Sequence, residues 1–383
     1  MKKTLIAFAV FGAFSSAALA DGDSVQLYGT IDLGLTHFTG LAPSGGGRGS
    51  TSTTNLSSGV QSPSAIGLKG SEDLGGGLRA LFEVETGFCA AGLNQNADTM
   101  GEQINSGGYC SGTGFMQRHA WVGLSGDFGL LHAGRMTSLQ YDNEANYVDP
   151  FGWGMTGGAR DLSPLQRAGD VRLNQTVTYI APQLGGFTAA AAYSFAPSVL
   201  GTLATASGPG SQVARAWSLD GRYASGPLTA GLSYATMQNN VPNPVTSTLD
   251  GSSKIAQIYG GYDFGVSRIT AEYVRLTEEY MSGAMNYWML GADVPLGPGS
   301  LLISFGNNRD SINMVQAESA RKFALGYSYA LSRRTNLYTS YARISNRNGA
   351  AFAVGSATDY GGANVGVANT TSSGFALGLR HMF

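Results

Sequence analysis

The chain has 383 residues, with 23 basic and 25 acidic side chains. That balance excludes the basic stripe that nucleic-acid binding requires. Charge is low at 13%, while Gly numbers 56, Tyr 18 and Phe 17; high glycine with many aromatics fits twisted strands and tight turns and excludes a disordered chain.

Taken in chain order, Lys2 and Lys3 precede a short apolar run, Leu5 to Phe14, and then Ala18-Leu19-Ala20. This pattern predicts an export signal at 1–20, cleaved after Ala20, and a single domain at 21–383. Without Lys2 and Lys3, 21 basic side chains face 25 acidic ones, a net charge of −4. No later apolar run reaches the ~18 residues that a spanning helix needs.

Beyond the signal, apolar and polar residues alternate. Val25, Leu27, Ile31, Leu33 and Leu35 share one face, against Gln26, Tyr28, Thr30, Asp32 and Thr36. The same alternation returns over 78–86, 228–234, 287–294 and 322–329, and it is the period of a strand with two different faces. The polar face carries charge in mid-strand, and aromatics such as Tyr179, Phe187, Tyr223, Tyr262 and Phe264 sit beside turns. Short turn signals occur at 74–77, 127–129, 182–186, 225–227, 263–265, 295–299 and 332–335. Between them lie longer polar stretches at 39–62, 89–115, 137–170, 197–212, 238–252, 277–284, 308–318 and 347–371. Eight long loops and seven short turns join sixteen strands. The predicted fold is all-β: a transmembrane antiparallel barrel with short periplasmic turns and long extracellular loops, enclosing water.

Cys89 and Cys110 share one Gly/Asn/Ser-rich stretch. In an exported chain such a pair is expected to form a disulfide across a loop. Near them only Asp98 and Glu102 could help hold a metal, so no metal site is expected. The loop at 137–170 contains Tyr141, Tyr147, Phe151 and Trp153. So many aromatics must dock on something, and the barrel interior is the available surface. Folded there, the loop would narrow the lumen and present Asp142, Glu144, Asp149, Arg160 and Asp161.

Alternation also gives the charges that face the lumen. Basic ones are Lys69, Arg79, Arg172, Arg222, Arg268, Lys322 and Arg380; acidic ones are Asp32, Glu83, Glu85, Asp220, Asp263, Glu272 and Asp293. Arg118 and Arg135 have the parity of apolar neighbours, which a bulge would explain. The expected constriction wall comprises Arg79, Arg172 and Arg222 near mid-barrel, Arg380 nearer the terminal rim, and Arg135 and Lys69. The four His (37, 119, 132, 381) are scattered, which argues against a hydrolytic site, so no enzyme is expected. The chain ends flush on Phe383, after a strand that alternates Phe375, Leu377, Leu379 and His381 with smaller or polar residues.

These segments resemble the Gram-negative general porins of the β-proteobacterial type. The resemblance rests on Val25-Gln26-Leu27-Tyr28-Gly29, Gly67-Leu68-Lys69-Gly70-Ser71-Glu72-Asp73-Leu74-Gly75 and Phe82-Glu83. It continues with Arg118 and Trp121-Val122-Gly123-Leu124, Phe128-Gly129 before Gly134-Arg135, Arg172-Leu173-Asn174-Gln175, Leu331-Ser332-Arg333-Arg334-Thr335, and Gly378-Leu379-Arg380-His381 before Phe383. It implies a homotrimeric outer-membrane channel for passive passage of ions and small hydrophilic solutes, without a cofactor. A substrate-specific outer-membrane channel is the alternative. The family likeness further implies that the third long loop folds inward, facing an arginine-rich wall. It implies contact with outer-membrane lipid and lipopolysaccharide, and an assembly machinery that reads the terminal Phe383. The chain departs from the pattern in its Gly/Ser/Thr-rich first loop, Ser44 to Ser58, and in the cysteine pair.

Overall fold

The computed structural model describes residues 24–43, 49–91, 116–168, 171–197, 215–242, 249–312, 314–355 and 366–383. The expected signal at 1–20 and Cys110 lie outside them. Sixteen antiparallel strands close into one barrel. They are β1 (Ser24–Leu41), β2 in two pieces (Thr51–Ser58 and Ala65–Gly75), β3 (Leu78–Gly87), β4 (His119–Gly126), β5 (Gly129–Thr137), β6 (Arg172–Ile180), β7 (Phe187–Ser194) and β8 (Arg215–Ser225). The second half comprises β9 (Leu228–Pro242), β10 (Leu249–Asp263), β11 (Arg268–Glu278), β12 (Met285–Leu296), β13 (Gly299–Asp310), β14 (Glu318–Ala330), β15 (Thr335–Arg347) and β16 (Thr371–Met382).

Closure pairs the first strand with the last, from Thr30 opposite Met382 to Thr39 opposite Ser373. Phe383 extends the seam: its N–H donates to Gly29 O at 3.0 Å, and Gly29 N–H donates to Phe383 O at 3.1 Å. A Cβ on Gly29 would lie 2.4 Å from the Phe383 ring. The bare outer face of Gly29 is therefore the seat of the chain's own terminal ring.

Burial is inverted relative to a water-soluble protein. On the outer face Leu232, Ile258 and Leu290 are 65%, 60% and 52% exposed, whereas the inward Ser233 and Gln257 are 3% exposed. Apolar side chains outside and polar ones inside is the arrangement that lipid imposes on a barrel. Tyrosines at the rims tie strand ends to turns: Tyr179 Oη donates to Phe128 O and Tyr327 Oη to Leu296 O, both at 2.7 Å.

Two parts of the chain leave the wall for the interior. The first is 59–64, which splits β2. The buried Asp32 carboxylate accepts from the N–H groups of Gln61 and Ser62 at 2.8 and 2.7 Å and from Tyr338 Oη at 2.5 Å. Part of the expected first loop is in fact strand, Thr51–Ser58; β-branched Thr51, Thr53 and Thr54 suit a pleated ladder on β1. The second is the third long loop, between β5 and β6, which carries two short helices, α1 (Leu139–Asn143) and α2 (Pro164–Ala168). Ser138 caps α1, its Oγ accepting from Tyr141 N at 3.1 Å, and a wider turn of π type, Glu144–Val148, continues it.

Candidate functional site: the narrowed lumen

The third loop lies along one side of the wall, as its aromatics required. Val148, Phe151, Trp153, Met155, Leu162 and Leu165 are each 4% exposed or less. They belong to one cluster with the inward faces of β11 and β12, Val274, Leu276, Tyr287 and Met289. Each large side chain so buried stabilises the docked loop by about 1.5–3 kcal/mol. Close approach needs missing side chains on the wall: a Cβ on Gly291 would sit 2.6 Å from Pro150 Cγ.

Polar contacts fix the path. Asn143 Nδ2 donates to Asp220 Oδ1 at 2.8 Å, and Tyr259 Oη donates to Asn143 Oδ1 at 2.9 Å. Thr270 Oγ1 donates to Val148 O and Arg268 Nη2 to Tyr147 O, both at 2.6 Å. Lys322 Nζ donates to Gly158 O and to Asp161 Oδ2, also at 2.6 Å. Arg167 ends the dock with Glu278 at 3.0 Å and Asp310 at 2.7 Å. The loop also joins the inturned 59–64 segment, through Met155 N–H donating to Val60 O at 2.6 Å.

This placement divides the loop acids. Asp149 was expected to face the wall arginines; instead it is buried and organises the loop. Its carboxylate accepts from the N–H groups of Phe151, Trp153 and Ala159 at 2.9, 2.8 and 2.7 Å. Burial nonetheless pushes its carboxyl up from the usual range, against those hydrogen bonds. Glu144 is likewise turned away from the lumen, its Oε2 accepting from Trp153 Nε1 at 2.8 Å and Ser163 Oγ at 2.9 Å. Burial first, then the charge of Glu272, pushes the Glu144 carboxyl well up. Arg160 is 2% exposed and pairs with Asp161 at 3.2 Å. The reason is common to all four: their backbone belongs to the part of the loop packed on the wall. Asp142 differs. It hydrogen-bonds Thr137 and feels the charges of Arg172 and Glu83, and burial pushes its carboxyl up to about 6 against the pull of Thr137 and Arg172.

The wall facing the loop is built by β1 to β6. Near the short-turn side, Lys69 Nζ lies 5.2 Å from the Tyr28 ring centre. Glu83 accepts from Tyr28 Oη at 2.6 Å and Trp121 Nε1 at 3.1 Å. Farther up, Glu85 pairs with Arg118. Arg135 donates to Asn174 Oδ1 and to Gln117 O. The expected bulge is real: between Gly134 opposite Thr176 and Met136 opposite Leu173 the register shifts, with Gln175 at φ 48°. The extra residue is on β6, so Arg135 stands opposite both Asn174 and Gln175, and its guanidinium reaches Asn174 Oδ1. Arg172 opens β6 and lies 6.0 Å from the Tyr141 ring centre, so the loop and the arginine wall meet there.

Other expected wall residues stand elsewhere. Arg79 follows the 76–77 turn, is exposed, and donates to Ser71 Oγ at 2.6 Å; alternation gave its face but not its height. Arg222 lies 4.3 Å from the Tyr147 ring centre, on the loop's side of the lumen. Arg380 donates to Asn336 Oδ1 at 3.1 Å. The lumen thus brings together Arg118, Arg135, Arg172 and Asp142, and leaves Arg79 and Arg380 apart. Arg118 was underrated by sequence because its parity matches apolar neighbours; it precedes β4, before the strand's alternation fixes a face. Val274 and Leu276, apolar on a water-facing parity, were the signal for the docking surface.

Residues 6–350 match the protein family described as Gram-negative porin. An outer membrane porin protein of Bordetella pertussis is 30% identical, covering 90% of this chain and 94% of its own. Outer membrane porin protein 32 of Delftia acidovorans is 30% identical over the full length of both chains. Among solved structures, an anion-selective porin from Comamonas acidovorans superposes with a TM-score of 0.74, at 25% identity, covering 94% of this chain and 100% of that one.

Proposed function

Since the chain belongs to the Gram-negative porin family and forms an outer-membrane channel for passive diffusion, we propose that it is a general diffusion porin favouring small hydrophilic anions. The observation that carries this reading is the division of charge in the lumen. Arg118, Arg135 and Arg172 gather on the wall facing the docked loop, Arg172 largely covered where it meets Tyr141, while Glu144, Asp149 and Asp161 are engaged inside that loop. Lys69 joins the three arginines on that side, so Glu83, Glu85 and Asp142 leave a surplus of one positive charge. In a narrow waist few water layers separate a permeant ion from these groups, so their surplus sets the field. The similar structure from Comamonas acidovorans, described as anion-selective, supports the sign.

Purified protein in planar bilayers under a salt gradient tests this. The expected zero-current potential has the sign of anion preference; the opposite sign overturns it. Members of the family are channels, and the lumen residues need perform no chemistry. The functional unit is a homotrimer, to be checked by the mobility of unheated protein on an SDS gel. Residues 1–20 are removed on export, leaving 21–383 as one barrel domain, and Phe383 is read by the assembly machinery. Cys89 bridges to Cys110 within the second long loop. Alkylation of the denatured, unreduced protein at two thiols would refute the bridge.

A further inference from the structure

The lumen wall near the short turns holds a recess of about 250 Å³, lined chiefly by Gln26, Lys69, Ser71, Leu81, Glu83 and Trp121. Glu83 lies two residues nearer the 76–77 turn than Glu85, which pairs with Arg118, so the recess is on the periplasmic side of the arginines. Register lays Gln26 beside Lys69, Lys69 beside Glu83 and Glu83 beside Trp121. One row nearer the turn, Ser24, Ser71, Leu81 and Gly123 follow in the same order. Lys69 and Glu83 are neighbours of opposite charge, yet neither forms an ion pair among the described residues. Each turns to an aromatic ring instead. Lys69 Nζ lies 5.2 Å from the Tyr28 ring centre. Glu83 accepts from Tyr28 Oη at 2.6 Å on one oxygen and from Trp121 Nε1 at 3.1 Å on the other.

The carboxylate is thus fixed between two rings, and each oxygen keeps a second lone pair for a further donor. Lys69 and Gln26 are exposed to the lumen, and both have donors to offer. The Trp121 ring is held from two directions, by its N–H on Glu83 and by the His132 ring, 4.9 Å away between centres. Gly123 leaves bare wall between Leu81 and His132, and with Leu81 the indole gives the recess its apolar part. This mixture discriminates among solutes. A small anion gains Lys69 and meets Glu83; a small cation meets the reverse. A neutral molecule with several hydroxyls suffers neither repulsion. It can donate to Glu83 and accept from Lys69 and Gln26. If its hydroxyls stand on a ring, the C–H groups of that ring can lie on the indole, whose face is electrostatically negative.

We propose that this recess is a weak binding subsite for a neutral sugar ring of hexose size, on the periplasmic side of the narrowed lumen. It goes beyond passive diffusion of ions and does not depend on which ion the channel prefers. The test is saturation-transfer NMR of the full-length protein in detergent, with glucose, sorbitol or phenylalanine. Sorbitol carries similar hydroxyls on an open chain and lacks the ring face; phenylalanine is a zwitterion with a ring. The expected result is saturable transfer to the ring C–H protons of glucose and little to sorbitol. Equal transfer to both, or none to glucose, overturns the proposal without any variant. Displacement of glucose by phenylalanine at equal concentration would give the recess to amino acids and overturns it too. Trp121→Ala should weaken glucose binding about tenfold, and Trp121→Phe, which keeps a ring, should weaken it less. Glu83→Gln should weaken it about fivefold, since a hydrogen bond to a charged group is replaced by a neutral one. Unaltered glucose binding in Trp121→Ala, or in Glu83→Gln should the first variant fail to assemble, overturns the placement. The zero-current potential of the same preparations reads ion preference separately, so either reading can fail alone.

Discussion

The two sides of the lumen use the same inward parity for opposite purposes. On β8 to β15 the inward residues meet the third loop. Arg268 and Lys322 hold its carbonyl groups, Val274 and Leu276 receive its aromatics, and Glu272 lies against Glu144. On β2 to β6 the inward residues Lys69, Glu83, Arg135 and Arg172 keep to the opening that the loop leaves. A lumen-facing charge is therefore a fastener on one side and a field source on the other. Parity alone cannot separate the two roles, because it reports a face of the sheet and nothing of what covers that face.

The largest effect should come from undoing the loop. Asp149→Ala removes the acceptor of three buried N–H groups, each such charged hydrogen bond contributing about 1.5–3 kcal/mol. The barrel should still assemble, because its strands pair without the loop. The channel should become noisy and wider on average, with the loop open to protease. Quiet channels of unchanged conductance would show that apolar packing alone holds the loop.

Next in size is the field. Arg135→Gln with Arg172→Gln should move the zero-current potential strongly toward cations, and the shift should shrink at 1 M salt, where screening acts within ~3 Å. Arg222→Gln should move it less, since that guanidinium lies on the loop's side against Tyr147. Equal shifts from Arg222 and Arg172 would break the division between the two sides.

A smaller, pH-dependent effect should come from Asp142, where the two sides meet. Its carboxyl titrates at about 6 in the folded protein, against ~3.9 when unfolded. Between those values the native state binds more protons, so its contribution favours docking most at low pH and declines as pH rises through ~4 to 6. Selectivity should follow: as pH falls through about 6 the acid is neutralised, and anion preference should rise. Asp142→Asn should remove that step from a series of zero-current potentials. A step that persists in the variant would assign it to another group.

The barrel itself was legible because lipid makes alternation strict: a polar residue facing outward in mid-membrane is costly, so Leu232, Ile258 and Leu290 declare their face. The inward fold of the third loop was legible from Tyr141, Tyr147, Phe151 and Trp153. The roles of Asp149 and Glu144 were not, since an acid that caps backbone N–H groups looks, in sequence, like one that faces water. Gly29 is a similar case. Alternation gives its outward face, but only long-range closure seats Phe383 there.

The smallest effect is expected from Arg79, and it tests whether height matters as much as face. Arg79 has inward parity like Arg172, carries the same charge and stands on the open side. It differs in lying beside the 76–77 turn, exposed, with Ser71 as its partner. There the high dielectric of water weakens its reach, and at 0.1 M salt the screening length is about 10 Å. Arg79→Gln should leave the zero-current potential close to that of the parent, with a slight change in conductance only at low salt. A shift matching that of Arg172→Gln would mean that the field along this wall is set by the number of arginines facing the lumen and not by the narrow passage beside the loop.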